Sequence, residues 1–275
     1  MTAQRLTLFL QSSESQLLPS TKGLEQCSCP RKHPMKIPAS TLVAMMATSN
    51  TDKSVVFVRH GCTYMNEYLG RVRSFGAPHF ADVFESSELD KYQDSKLSPL
   101  GVQQAKKLSY SCSFATDVDL VVVSPLTRAL QTFEIGMKAH IGSQVPVIAL
   151  PEAAERLYLI SDVGRSVDEL QAEYEYVDFS NCKRDGWWYQ CEESYEEWRP
   201  TGQGQRYACK GEPALDFQRR MSRLYEWLEA SEATKIAVVC HHGVIDWMLD
   251  MDFDNCQWRE IAFSDIQPAG LLRSV

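Results

Sequence analysis

Residues 54–63 read Ser-Val-Val-Phe-Val-Arg-His-Gly-Cys-Thr, an apolar run rich in β-branched side chains that ends in arginine, histidine and glycine. A short run of this kind is typical of a strand that is buried on both faces of a parallel sheet. The pattern returns in VDLVVV at 118–123 and KIAVVC at 235–240, and residues 145–150 form a weaker fourth candidate. The sequence therefore predicts buried strands spread over most of its length.

Helices are predicted between these strands by capping residues and by apolar periodicity. Ser98-Pro99 and Ser124-Pro125 each combine a capping hydroxyl with a proline, which suits the first helical position. Ser166 and Glu169 have the spacing of a capping box, and residues 215–229 carry an apolar stripe on one helical face. Strands that alternate with helices indicate an α/β fold of three layers, a mainly parallel sheet with helices on both faces.

Arginine and histidine side chains that can take part in catalysis follow three of the predicted strands. Arg59 and His60 end the first strand, Arg128 comes shortly after the second, and His241 and His242 end the last. In parallel sheets, ligands bind beyond the carboxyl ends of the strands. We therefore expect these side chains to share one site.

This set of side chains suits phosphoryl transfer, whose transition state spreads negative charge over three oxygens. Arg59 and Arg128 can each offer charge-assisted donors to those oxygens. A neutral His60 can act as the nucleophile and form a phosphohistidine, which water then cleaves. No metal and no other cofactor is predicted, because arginine and histidine supply the positive charge that Mg²⁺ often supplies in phosphoryl enzymes.

Four blocks of sequence resemble the histidine phosphatase superfamily, whose members have the phosphoglycerate-mutase-like fold. They are RHGxTxxN at 59–66, LSPLGVQQA at 97–105, SPLTRALQT at 124–132 and a late His-x-Gly at 241–243. The blocks stand in the family's order and span roughly residues 54–265.

The resemblance implies that His60 is the catalytic nucleophile and that a pocket around it binds the phosphoryl group. His241 takes the second catalytic histidine position in preference to His242, since the family pattern is histidine, one variable residue, then glycine. The residues implied to form, line or support the pocket are Arg59, Thr63, Asn66, Arg128 and His241.

The general acid that protonates the leaving oxygen has two candidates, Glu152 and Glu155. The segment around them resembles the plant phosphoglycerate-mutase-like branch, in which the glutamate that acts as general acid precedes an Asp-x-Gly by seven residues. Glu155 stands seven residues before Asp162, so Glu155 is the preferred candidate and Glu152 the alternative.

Residues 173–211 mix aromatic and acidic side chains, and an insertion near the acid often caps the pocket in this family. We expect this segment either to cap the active site and select substrates or to pack against the domain as an additional helical layer. The preferred function is a phosphomonoesterase acting on a small phosphorylated metabolite. The alternatives are phosphoglycerate-mutase-type phosphoryl transfer and, less favoured, a catalytically inactive module that binds phosphorylated ligands.

The amino-terminal segment and the composition bear on domain organisation and location. Residues 1–50 are rich in serine and threonine, with five basic and two acidic side chains, and are predicted to be either a transit peptide or a disordered tail. Residues 51–275 would form the histidine phosphatase domain. The net charge of −8 gives no basic footprint for nucleic acid, and no apolar run approaches the length of a membrane span. The scattered cysteines suggest a reducing compartment, the chloroplast or the cytoplasm, and the oligomeric state stays open.

Overall fold

The computed structural model describes residues 53–70, 91–184, 186–189 and 212–268. Residues 1–50, most of the loop at 65–96 and residues 190–211 of the expected cap lie outside the described residues. The strands are β1 (Ser54–Arg59), β2 (Leu120–Val123), β3 (Val147–Ala149), β4 (Lys235–Cys240) and β5 (Trp258–Ala262). The helices are α1 (Tyr64–Leu69), α2 (Pro99–Ser111), α3 (Thr127–Gly136), α4 (Val167–Glu173), α5 (Ala214–Ala230) and α6 (His242–Leu249), with short 3₁₀ turns between them.

The five strands form one sheet in the order β3-β2-β4-β1-β5. The four strands predicted from the sequence pair in parallel, and β5 runs antiparallel to β1 at the edge. The mainly parallel sheet is confirmed, whereas β5 was missed. Its sequence, WREIA, carries two charged side chains and reads as a surface segment.

Each strand sends alternate side chains into two apolar layers, which is the period-two geometry of a strand. Val56, Val121 and Val239 pack on one side with apolar residues of α2 and α3. Phe57, Val122 and neighbouring strand residues pack on the other side with α5 and α6. The predicted three-layer arrangement is therefore confirmed.

Two predicted helix starts are confirmed and one is wrong. Ser98 caps α2 through its hydroxyl, and Ser166 forms a capping box with Glu169 at α4. Ser124 does not cap α3, which begins three residues later at Thr127. The carboxylate of Asp94, distant in sequence, instead accepts a hydrogen bond from the Thr127 amide at 2.9 Å.

The LSPLGVQQA block packs α2 against the loop that follows β1. The amide of Ser98 donates to the Cys62 carbonyl at 2.9 Å, and the Gln104 side-chain oxygen accepts from the Cys62 amide at 2.8 Å. A Cβ on Gly101 would lie 1.9 Å from the Cys62 carbonyl oxygen, so only glycine fits this approach. The block therefore fixes the loop that begins with His60. Across the described ranges, no helix combines the length and the apolar character that a membrane span requires.

Candidate active site

His60 follows the carboxyl end of β1 and is 4% exposed. Its Nδ1 lies 2.7 Å from the carbonyl oxygen of Gly61. A carbonyl oxygen only accepts hydrogen bonds, so Nδ1 carries the proton and Nε2 keeps its lone pair. Burial lowers the pKa of His60 well below its usual range, and the charge of Arg128 lowers that pKa further. His60 is therefore a neutral imidazole with Nε2 as its basic atom.

His241 follows β4, where it is fully buried, and its ring centroid lies 5.0 Å from that of His60. Arg128 donates through Nε to Nδ1 of His241 at 3.2 Å. The proton of the neutral ring is then on Nε2, which donates to the Ser124 hydroxyl at 2.7 Å. Burial, followed by the charge of Arg128, lowers the pKa of His241 well below its usual range. The two histidines thus have complementary tautomers, a free acceptor on His60 and a donor on His241.

Arg128 is buried at the start of α3 and is held in place by the segment after the acid candidates. Its Nη1 donates to the Ser161 carbonyl at 2.6 Å, and its Nη2 pairs with Asp162 Oδ1 at 2.9 Å. The other oxygen of Asp162 accepts from the amides of Tyr158 and Leu159. In the sequence, Asp162 served only as a marker for the position of Glu155, so its role as the partner of Arg128 was missed.

Arg59 lies beside the two histidines but makes its hydrogen bond elsewhere. Its Nη1 donates to the Phe253 carbonyl and lies 3.9 Å from Asp252 Oδ1. The positive charge of Arg59 nevertheless contributes to the lowered pKa values of both His60 and His241. The structure therefore places the charge of Arg59 within electrostatic reach of both histidines.

Thr63 and Asn66 bond each other rather than one of the other predicted site residues. The Thr63 hydroxyl accepts a hydrogen bond from the backbone amide of Asn66, and the side-chain oxygen of Asn66 accepts one from the backbone amide of Thr63, each at 3.0 Å. This capping box begins α1 immediately after the loop that carries His60. The two residues support that loop.

The two glutamates have different surroundings. Glu155 Oε2 accepts from the Gly243 amide at 3.2 Å, at the start of α6 and two residues after His241. Burial raises the pKa of Glu155, and the negative charge of Asp162 adds to the shift. The Glu152 carboxylate instead lies 3.6 Å from the half-exposed Arg223 side chain on α5. Of the two, Glu155 is the carboxyl group that contacts the His-x-Gly segment.

His242 points away from the buried pair. It is 48% exposed, and its Nδ1 lies 3.2 Å from Asp252 Oδ1. The structure therefore brings His241, and not His242, against the ring of His60. Within the part of the chain that the structure describes, no group of three or more metal-ligating side chains occurs.

Comparisons with known proteins bear on the family. The family model described as the histidine phosphatase superfamily (branch 1) matches residues 55–267. A probable phosphatase of Schizosaccharomyces pombe is 28% identical over 142 residues, which are 51% of this chain and 58% of that protein. The chain thus spans less than two thirds of this relative's length.

Two solved structures illustrate the structural likeness. A putative α-ribazole-5′-phosphate phosphatase from Escherichia coli is 22% identical, with a TM-score of 0.45 over 76% of this chain and 90% of that chain. An ecdysone phosphate phosphatase from Bombix mori is 13% identical, with a TM-score of 0.47 over 76% of this chain and 88% of that chain. Because both TM-scores lie below 0.5, neither structure identifies a substrate for this chain.

Proposed function

The chain belongs to the histidine phosphatase superfamily (branch 1), since the family model covers residues 55–267, and from this premise we propose that it hydrolyses a small phosphorylated metabolite as a metal-independent phosphomonoesterase. One observation carries the proposal. His60 is buried and neutral, its Nε2 is free to attack, and the ring of His241 lies 5.0 Å away. A neutral nitrogen lone pair can attack phosphorus, and a hydrogen-bond donor beside it can stabilise the charge on a phosphoryl oxygen.

In the proposed reaction, Nε2 of His60 attacks phosphorus, the P–N bond forms and the bond from phosphorus to the leaving oxygen breaks. Glu155 gives its proton to that oxygen, because its raised pKa keeps the carboxyl group protonated to a higher pH than usual. A water molecule then attacks the phosphohistidine, the P–N bond breaks, and inorganic phosphate leaves. Glu155, now ionised, accepts the proton of that water.

The phosphoryl oxygens would be bound by Arg59, Arg128 and His241. Arg128 is already held by Asp162, so it needs little reorganisation to offer charge-assisted donors. His241 can transfer its Nε2 donor from the Ser124 hydroxyl to a phosphoryl oxygen. Thr63 and Asn66 would support the pocket through the capping box that holds the loop after His60.

Hydrolysis is preferred over mutase-type transfer. In this chain, residues 65–96 separate the RHG motif from the LSPLG block. The glycolytic mutases that resemble this fold have a shorter stretch there, and it contains a Gly-Trp-x-Asp element that this stretch lacks. The probable phosphatase of Schizosaccharomyces pombe is in keeping with hydrolysis. We also propose that the chain lies in the plant phosphoglycerate-mutase-like branch, on the spacing of Glu155 and Asp162.

A panel of phosphorylated metabolites tests the reaction. Purified protein should release inorganic phosphate from at least one of them in the presence of a chelator and should be inhibited by vanadate. Brief mixing should trap an acid-labile, base-stable phosphoryl adduct, and His60→Ala should lose both adduct and turnover while staying folded. Isomerised product without free phosphate would favour the mutase. Tight binding of phosphorylated ligands without turnover would favour the inactive module.

Leaving-group dependence tests the acid. An alkoxide leaves phosphorus poorly without a proton, whereas nitrophenolate leaves with little help. Glu155→Gln should therefore lower kcat/KM for an alkyl phosphate by about 10²–10⁴-fold and kcat/KM for p-nitrophenyl phosphate far less, because kcat/KM excludes the later water step that both substrates share. Glu152→Gln is the matched control and should treat both substrates alike. The opposite pattern would make Glu152 the acid.

A further inference from the structure

Arg220 lies on α5 and reaches the backbone of the turn that carries Glu155. Its Nε and Nη2 donate to the two carboxylate oxygens of Glu212, at 2.9 and 2.6 Å. Its Nη1 donates to the carbonyl oxygens of Glu152 at 2.9 Å and Ala154 at 2.7 Å. Nη2 also donates to the carbonyl oxygen of Glu155 at 3.2 Å. All five N–H groups of the guanidinium are thereby used.

Glu212 holds the other side of the same turn. Its amide donates to the Leu157 carbonyl at 2.7 Å, and its own carbonyl accepts from Arg156 Nε at 2.8 Å. Its Oε2 also accepts from the Leu157 amide at 3.4 Å. Arg220 and Glu212 therefore bond the backbone or side chains of residues both before and after the acid.

Stability alone does not account for an ion pair at this place. Arg220 is 9% exposed and Glu212 1% exposed, so both charges have lost most of their hydration. A buried pair usually stabilises a fold no better than well-packed apolar side chains of similar volume. The pair instead fixes the carbonyl groups of the turn that carries Glu155, because the rigid planar guanidinium of Arg220 donates to them. Catalytic groups need such support, because they act only when held within about 0.5 Å of the productive geometry.

We propose that Arg220 and Glu212 are positioning residues that hold Glu155 where it can protonate the leaving oxygen. This inference rests on the proposed function. Neither residue contacts a histidine of the site in a hydrogen bond that the structure records, and Arg220 bonds the main chain of Glu155 and not its carboxyl group. The charge of Arg220 also helps to lower the pKa of His241, so a substitution that keeps this charge is needed to confine the effect to steps that require Glu155.

Arg220→Lys tests the role, because lysine keeps the charge but cannot form the planar fork. The kcat/KM for an alkyl phosphate should fall about tenfold to a hundredfold, as expected when a reacting group is displaced by about 1 Å. The kcat/KM for p-nitrophenyl phosphate should stay within about threefold of wild type, because nitrophenolate leaves without a proton and kcat/KM excludes the shared water step. Arg223→Ala is the matched control, since Arg223 lies on the same helix and pairs with Glu152 at the surface. It should leave both rates unchanged.

Two further variants guard against a simple loss of folding. Glu212→Gln keeps the shape of the side chain and should show the same split, and a urea titration checks that this variant is folded under the assay conditions. Arg220→Lys combined with Glu155→Gln should be no slower on the alkyl phosphate than Glu155→Gln alone, because both changes act on one step. Equal losses on both substrates, or additive losses in the double variant, would overturn the positioning role.

The same assays separate this inference from the proposed function. A wild-type protein that hydrolyses neither substrate would refute the proposed function and the positioning role with it. A wild-type protein that hydrolyses both, and whose Glu155→Gln variant shows the split while Arg220→Lys and Glu212→Gln do not, would refute the positioning role alone.

Discussion

Burial shifts the pKa values of His60 and Glu155 in opposite directions. A buried imidazole resists gaining a charge, so its pKa falls, and a buried carboxyl group resists becoming ionised, so its pKa rises. Arg128 strengthens the first shift and Asp162 the second. Burial thus favours both the neutral form of the proposed nucleophile, His60, and the protonated form of the proposed acid, Glu155.

The sign of these shifts predicts the pH profile of the reaction. In the proposed reaction His60 must be neutral to attack, and its lowered pKa moves the acid limb of kcat/KM below the usual histidine range. As the proposed acid, Glu155 must be protonated, and its raised pKa moves the alkaline limb above the usual glutamate range. For an alkyl phosphate, kcat/KM should therefore rise as His60 loses its proton and fall as Glu155 ionises. In Glu155→Gln that alkaline fall should disappear, and its persistence would exclude Glu155 as the titrating acid.

Part of the site could be predicted because parallel strands bring their carboxyl ends together. Arg59, His60 and His241 could be grouped on that rule alone, and Arg128 by its position after β2. Other contributors were not visible. In the sequence, Ser124 was interpreted as a helix cap, whereas its hydroxyl accepts a hydrogen bond from His241. The contact of Arg220 with the turn that carries Glu155 depends on how α5 packs. Side chains that act through tertiary contacts leave no local pattern.

The close approach of Glu155 explains why the His-x-Gly segment has a glycine at position 243. A Cβ at this position would lie 2.3 Å from Glu155 Oε1. Because the clashing atom is the end of a flexible side chain, Gly243→Ala should displace the carboxyl group without disturbing the fold, and alanine is the better helix former by about 1 kcal/mol. We expect thermal stability to be kept or raised while alkyl phosphate turnover falls about a hundredfold. Full turnover would show that the Gly243 contact does not set the position of the acid.

At the scale of elements, Gly101 should behave in the opposite way. Its Cβ would meet the Cys62 carbonyl at 1.9 Å, and a backbone atom cannot move without its chain. Gly101→Ala should therefore separate α2 from the loop after β1 and cost roughly 1–3 kcal/mol, the usual range for overpacking. Urea denaturation would measure the loss. An unchanged midpoint would mean that α2 can shift at little cost.

Element prediction succeeded where local chemistry decides and failed where a distant partner does. The caps at Ser98 and Ser166 and the stripe of α5 are local, and the structure contains them. The start of α3 depends on Asp94, some thirty residues away, and β5 depends on the free edge of β1. Neither partner can be identified from the segment itself.

At the scale of the whole molecule, Lys53 is the first described residue, and it ties the start of β1 to α5. It is 3% exposed, and its Nζ donates to the carbonyl oxygens of Leu228, Glu229 and Ser231 at 2.6–2.9 Å. Its own carbonyl accepts from the Phe263 amide at 2.9 Å. A cation at the carboxyl end of a helix satisfies carbonyl groups that have no partner within the helix.

These contacts set the boundary for a truncation. Every residue placed in the proposed site lies after Lys53, so removal of residues 1–50 should leave kcat/KM and the urea midpoint unchanged. Removal of residues 1–53 should keep the site but lower the midpoint, because the end of α5 loses the three bonds from Lys53. Equal midpoints for the two deletions would contradict the role of Lys53, and loss of activity in the shorter deletion would give residues 1–50 a part in catalysis.

The same deletion of residues 1–50 separates the two hypotheses for that segment. Its serine content, five basic side chains and two acidic ones are typical of a transit peptide, but also of an untargeted tail. A transit peptide should direct a fluorescent fusion of the full chain to plastids, and the fusion that lacks residues 1–50 should stay in the cytosol. A tail should leave both fusions in the cytosol. Because catalysis is expected to be identical in the two proteins, any difference in location would come from the segment itself.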